Sequence, residues 1–360
     1  MSNHGSQKAI IRQEISIKHR IRRAILTRAI TFGAKRLIVV LTPGYDWRKG
    51  GIISIATIYR QIGLIRDLHR ASVALCSVPG EPLLAKYTWF KNRNYILDLE
   101  SVLDSCRRLD YFQLHIPAYA VNQVSSWLNS PSGARLRDIP EVHFNILLQN
   151  IDVIEGRPLS GLMPFGRVTC TTAHEAYTSA AFREALGVTL HRLGVYNGPE
   201  DYSPTPYQEK EPLLVVSHDE HPLKARVLEH IARTNPNLKI KVVHNISYEE
   251  YRELIGRAKW SLTFGEGLDS YFAEVAWSGG VPFAVFNNRY FTPAFAKLQT
   301  LYPSWEILLA KMPFDLQRLD EPIRYDRCWR EIYDLLNTLY GKERFRANLR
   351  AFYRGEYTFP

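Results

Sequence analysis

Short apolar runs of strand length alternate with longer stretches of helical composition along most of this chain, and that alternation points to an α/β fold built on parallel sheets. Residues 37–42 form an apolar strand, 43–51 a glycine-containing loop, 52–69 a helix with apolar residues at helical spacing, and 71–78 the next strand. Further strands are expected at 111–116, 142–148, 167–171 and 189–193. Residues 196–212 carry Gly198, Pro199, Pro204, Pro206 and Pro212 among charges and read as a linker. Behind it a second unit opens with strand 213–217, helix 225–234, strand 240–244, helix 248–258 and strand 260–264. A chain of 360 residues, 46% apolar, supplies two cores rather than one.

Cys76, Cys106, Cys170 and Cys328 lie far apart and form no C-x-x-C pair, which suggests neither a zinc knuckle nor a disulfide framework. No uncharged apolar stretch reaches membrane-spanning length, and the start of the sequence has no signal-peptide pattern. The expectation is a cytoplasmic protein, soluble or peripheral on the inner face of a membrane.

The net charge of +10 is concentrated at one end, since residues 1–36 hold nine Lys and Arg against Glu14 alone. Residues 10–30 mix these charges with isoleucines and contain no Pro or Gly, so a basic helix is expected. Its apolar positions fall into two patches interrupted by Arg22 and Arg28, an imperfect amphipath. Contact with an anionic membrane surface is one expectation, and a solvated or partner-packed extension is the other. Nucleic acid is not expected as a partner, because the rest of the chain shows no helix-turn-helix, zinc-finger or RNP signature.

The most chemically informative segment follows the strand at 260–264. Gly265-Glu266-Gly267-Leu268-Asp269 makes a tight turn, residues 271–277 are helix-compatible, and Glu274 stands eight positions after Glu266. A loop entering a helix N-terminus attracts phosphate, through unpaired N–H groups and the positive end of the dipole. Two carboxylates beside it can hold sugar hydroxyls. On the residues alone, a capping role for Glu266 and a solvated position for Glu274 remain equally open.

With Ser278-Gly279-Gly280-Val281-Pro282 behind it, this E-x7-E segment resembles that of the retaining glycosyltransferases of the GT-B fold. The resemblance implies two Rossmann-like domains facing a cleft. It covers about residues 37–290, in order, and its specific part is 266–282. The expected organisation is a basic helical extension at 1–36, an acceptor-side domain at 37–197, a donor domain at 213–325 and a helical segment at 326–360 that crosses back to the first domain.

The family's second glutamate binds ribose and its first lies against the donor sugar, which places those roles on Glu274 and Glu266. Gly267, Leu268 and Asp269 match the backbone that touches sugar and phosphate. Gly50 and Gly51 match the family's Gly-Gly loop after the first strand, with Arg48 and Lys49 beside it. Lys224 matches the basic residue that neutralises donor phosphate, although the arginine that usually precedes it has no counterpart near His218 and Asp219. Asn245 and Ile246 match the turn that reads the nucleobase. His115, at the end of a strand, matches in order a first-domain histidine, and His174 follows a strand in the same way. A metal site among His218, Asp219, Glu220 and His221 is disfavoured, because adjacent loop residues rarely all turn toward one ion.

The function this implies is metal-independent transfer of a sugar, hexosyl or deoxyhexosyl, from a nucleotide-diphosphate donor to an acceptor hydroxyl. No cofactor is expected beyond the donor, and no metal ligand is expected. The acceptor is expected to be a glycan or a lipid-linked molecule of polysaccharide biosynthesis, with retention of configuration. Two alternatives stay open: an inverting transferase with His115 or Asp46 as general base, and a non-catalytic protein that binds nucleotide sugar or glycan.

Overall fold

The computed structural model describes residues 17–47, 49–151, 154, 159–194, 196 and 202–360. Arg48 and residues 10–16 of the expected basic helix lie outside the described residues.

Two all-parallel sheets carry the chain. The first contains β1 (Arg36–Thr42), β2 (Ser72–Ser77), β3 (Tyr111–Pro117), β4 (Glu141–Leu148), β5 (Arg167–Thr172) and β6 (Thr189–Arg192), in the order β2-β1-β3-β4-β5-β6. The second contains β7 (Glu211–Val216), β8 (Lys239–Val242), β9 (Ala258–Leu262), β10 (Val281–Val285) and β11 (Leu301–Tyr302), in the order β11-β10-β9-β7-β8. The pairings are parallel throughout both sheets. Leu37 to Leu41 of β1 are wholly buried, as a strand covered on both faces requires of a continuous apolar run.

In each sheet the strand order reverses beside the first strand. β1 has β2 on one side and β3 on the other, and β7 has β8 on one side and β9 on the other. Loops leaving the carboxyl ends of strands diverge at such a reversal, opening a crevice suited to a ligand.

The helix expected at 52–69 is two helices, Gly50–Leu64 and Arg66–His69, meeting at Ile65. Likewise, the terminal helical segment is divided at Gly341 into Pro322–Tyr340 and Lys342–Arg354. The helix Trp305–Leu319 contains Pro313 and was not anticipated. Residues expected to form an open linker are partly embedded: Tyr196 is buried against Trp277, and the Thr205 amide donates to the Ser278 carbonyl over 3.1 Å.

The last helix lies over the first sheet, and this settles where His115 belongs. Phe352 and Tyr353 cover a polar layer formed by β3, β4, β5 and β6, with Phe352 in ring contact with His115, His143 and His191. His115 is 2% exposed, with Nε2 2.8 Å from the Tyr353 hydroxyl and Nδ1 3.0 Å from the Asn145 amide nitrogen. The same amide donates to the Thr171 hydroxyl at 2.9 Å, while its oxygen accepts from Thr169 at 2.9 Å. Burial, reinforced by neighbouring His143, pulls the His115 imidazole down to about 3, so it is neutral at physiological pH. His115 is therefore a residue of the packing between sheet and terminal helix. Its place on β3 was read correctly from the sequence, but side-chain direction on a doubly covered strand was not.

Replacing His115 with Ala would strand the Tyr353 hydroxyl and the Asn145 amide in an apolar layer, at a cost on the order of 2–4 kcal/mol of stability. Chemical denaturation should show that loss, while calorimetry should show nucleoside-diphosphate affinity within about twofold of wild type. A stable variant that cannot bind or turn over donor would return His115 to the site.

Candidate functional site

A cavity of about 700 Å³ separates the two sheets. Each wall is built from loops at the carboxyl ends of strands. From the first sheet come Lys49, Gly50 and Gly51 after β1, Tyr119 after β3, Gln149 and Asn150 after β4, and His174 after β5. From the second come His218 and Asp219 after β7, then Glu266, Leu268, Asp269 and Glu274 after β9. Both strand reversals thus face one space.

The first wall offers an open helix end. Among the described residues no side chain caps the start of the helix Gly50–Leu64, and its first turn has no acidic residue. Its N-cap residue is Lys49, which lines the cavity. A Cβ at Gly51 would lie 3.1 Å from Gln149 Oε1, and one at Gly50 would lie 3.5 Å from Ser270 Oγ on the opposite wall. Gln149 holds the turn by donating to the Gly51 carbonyl over 2.8 Å and to the Ser54 hydroxyl. Amides and dipole at this end are oriented toward an anion.

The second wall is acidic. Asp269 caps the helix Ser270–Trp277, accepting from the Tyr271 amide at 2.9 Å, the Phe272 amide at 3.2 Å and the Thr263 hydroxyl. Those amides are consequently taken, and this helix end is closed where the first is open. Burial raises the Asp269 carboxyl to about 7, with Asp219 and Glu266 adding repulsion. Glu274, four positions into the helix, is 1% exposed. Its Oε2 accepts from the Tyr202 hydroxyl at 2.7 Å and the Tyr248 hydroxyl at 2.9 Å. Burial outweighs these donors and raises Glu274 to about 7. Glu266 is exposed to the cavity itself.

Several expected positions fall elsewhere. The Lys224 ammonium is engaged by the Ser217 carbonyl at 3.1 Å and the Asp219 carbonyl at 2.8 Å, and it does not line the cavity. It clamps the loop after β7 rather than presenting a charge to a ligand. Gly267 is buried with φ of +96°, and a Cβ there would come 2.7 Å from Phe291 Cε2, so it serves the turn and not the cavity surface. Asn245, exposed with φ of +54°, and Ile246 also lie outside the lining. They precede the Ser247 capping box that starts the helix bearing Tyr248.

His174 takes the position that the expectations gave first to His115. It lines the cavity among Tyr177, Tyr290 and Tyr340, burial pulls it down to about 4, and its buried Nδ1 has no hydrogen-bond partner among the described residues. Tyr202, Tyr248 and Gln149 were not anticipated at all. The Ser247 capping-box pattern could have located Tyr248 in a first helical turn, whereas nothing in the proline-rich connector distinguishes Tyr202. Among the described residues, no three His, Cys, Asp or Glu side chains gather with metal-binding geometry.

The raised Glu274 carboxyl has a measurable consequence. Between pH 4.5, the ordinary carboxyl value, and about 7 the folded chain holds a proton that the unfolded chain releases, so stability falls as pH rises through that window. Glu274→Gln removes this dependence. The melting temperature of the variant minus that of wild type should climb by several degrees across the window and then level off. A constant difference would contradict the buried carboxyl.

No known sequence family matches this chain, and no curated protein sequence matches it. Its fold, by contrast, has solved counterparts. Sucrose-phosphate synthase from Thermosynechococcus elongatus aligns with a TM-score of 0.52 at 11% identity, over 89% of this chain and 99% of that one. A protein assigned as a UDP-N-acetylglucosamine 2-epimerase from Listeria monocytogenes aligns at 0.51 and 10% identity, over 91% and 98%. HepE of Anabaena in complex with UDP aligns at 0.50 and 8% identity, over 89% and 100%. At these identities the likeness is one of architecture: two Rossmann-like domains of the GT-B type.

Proposed function

We propose that this protein is a glycosyltransferase that moves a sugar from a nucleoside-diphosphate donor to an acceptor hydroxyl in the cavity between its sheets. The observation that carries this reading is the pairing, across one space of about 700 Å³, of an uncapped helix end with a carboxyl-rich wall. The uncapped end suits a diphosphate, and the carboxyl wall suits hydroxyls. A second support is the architecture shared with a sucrose-phosphate synthase and with a protein crystallised with UDP.

In this mechanism the leaving diphosphate rests against the Gly50 and Gly51 amides with the Lys49 ammonium beside it. These fixed positive ends stabilise the charge that develops as the anomeric bond breaks. They take the place of a divalent metal, so transfer should survive a chelator. Glu274 accepts from ribose hydroxyls through the carboxylate capacity that Tyr202, Tyr248 and Ser270 leave free. Glu266, open to the cavity, orients the sugar or supports positive charge at its anomeric carbon. Excluding Lys224 leaves Lys49 as the lysine lining this cavity among the described residues.

The proposed course is retaining, on a hexosyl or deoxyhexosyl donor, and its support is the resemblance of the E-x7-E segment to that of the retaining GT-B transferases. The inverting alternative needs a base on the acceptor side, and one observation favours a specific residue for it. His115 is buried under the terminal helix, and Asp46 accepts from the Thr88 amide and hydroxyl, whereas the His174 ring lies in the cavity wall. The acceptor we propose is a glycan or lipid-linked molecule of polysaccharide assembly. The third possibility, a silent binding protein, would take nucleotide and transfer nothing.

With UDP-sugars as first donors, Glu266→Gln should lower kcat by about 10²–10³-fold with nucleotide affinity nearly unchanged. His174→Ala should cost less than about tenfold. Nuclear magnetic resonance of the product should show the donor's anomeric configuration, and EDTA should leave the rate unaltered. The reverse ranking of the two variants with inverted product would establish the alternative, and binding without turnover by wild type would remove the enzyme reading.

A further inference from the structure

The helix Ile17–Thr31 packs Leu26 and Ile30 against the first core yet leaves other apolar side chains in solvent. Its buried positions are Arg23, Thr27 and Thr31, while Ile17, Ile21, Ile25 and the following Phe32 are 76%, 57%, 56% and 84% exposed. Positions separated by four, four and seven residues share one helical face, so these four apolar side chains form a single outward ridge roughly 20 Å long. Arg28 stands within this row, between Ile25 and Phe32, while Arg20 flanks it on one side and Lys18 and Arg22 on the other. Exposed aliphatic side chains in a row cost free energy in water unless something covers them.

Beneath one flank lies a second cavity, of about 910 Å³, between this helix and the helix Leu99–Asp104. Its cationic lining is Arg20, Arg23, Arg28, Lys35, Arg107 and Arg108, opposed by the carboxylate of Asp98. Asp98 is already committed to capping, accepting from the Ser101 amide at 2.8 Å. Arg23 is nine-tenths buried and donates to the Leu83 and Leu84 carbonyls, and its Nε has no partner among the described residues.

We propose that this face docks on an anionic lipid bilayer, with the isoleucine and phenylalanine ridge entering the acyl boundary and phosphate headgroups held in the arginine-rich cavity. A bilayer supplies both chemistries side by side, hydrocarbon for the ridge and phosphate for the cavity. A second copy of this chain does not, because it carries +10 overall and would bring the same cations face to face. The segment whose carbonyls Arg23 holds adjoins Glu81, which accepts from the Gly44 amide at 2.6 Å and from Tyr119 at 3.5 Å. Tyr119 lines the inter-sheet cavity, so the docking face and that cavity share one supporting loop. The proposal stands on this face alone and does not depend on sugar transfer.

The test is co-sedimentation of the full chain with phosphatidylcholine vesicles containing about 30% phosphatidylglycerol. Wild type should bind these vesicles, release them at high salt and ignore pure phosphatidylcholine. Each cation at an anionic surface multiplies partitioning by about five, so Arg20→Gln with Arg28→Gln should weaken binding about 25-fold. Ile21→Glu with Ile25→Glu should weaken it at least tenfold without lowering the melting temperature, because both side chains already face solvent. Equal binding by wild type and the isoleucine variant would overturn the proposal, as would failure of wild type to bind, including the case where sedimentation shows the ridge buried in a dimer. Inorganic phosphate that raises the melting temperature while vesicles are ignored would also overturn it, reducing the cavity to a site for a free anion.

Discussion

The carboxyl of Glu274 is the point on which the second wall turns. It is nearly sealed from water, yet it takes hydroxyl donors from Tyr202 in the connector and Tyr248 on another helix. One side chain thereby fixes three segments that are distant in sequence. Tyr202 also rests on Trp277, and Tyr196 packs against the same indole, so the connector is tied down where it crosses from one sheet to the other. An isolated buried charge would be prohibitive, and the two phenols with a pKa raised toward neutrality make the group tolerable.

The asymmetry between the two helix ends gives the cavity a direction. Asp269 consumes the first amides of the helix Ser270–Trp277, whereas the helix Gly50–Leu64 has no side-chain cap among the described residues and a lysine at the threshold. The anion should therefore settle on the first sheet's side, and the hydroxyl-bearing parts of a ligand should settle against Asp269, Glu266 and Glu274. Gly50 and Ser270 approach across the gap closely enough for one ligand to touch both walls.

Much of this architecture was legible in the residues. Apolar runs such as Leu37 to Leu41 have the length and β-branched content of strands covered on both faces, and their alternation with helices points to parallel sheets. The carboxylates at 266, 269 and 274 and the Gly50-Gly51 turn do meet at one cavity. What was hidden has physical reasons. A strand sequence does not show which face of a doubly covered sheet a polar side chain takes, so His115 was favoured over His174. Lys224 looked like a free cation because the carbonyls that hold it, Ser217 and Asp219, become neighbours only when the loop after β7 folds back. Pro313 concealed a helix that continues through it. The helix at the start of the described chain turns Arg23, Thr27 and Thr31 inward and Ile17, Ile21 and Ile25 outward, which its composition alone could not indicate.

The most direct measurement is a crystal structure of the chain soaked with uridine diphosphate. The account predicts the diphosphate at the amides of Gly50 and Gly51 beside Lys49, with ribose hydroxyls against Glu274 and the terminal phosphate pointing toward Glu266. Nucleotide bound outside the space between the sheets, or bound there with neither Gly51 nor Glu274 in contact, would contradict it.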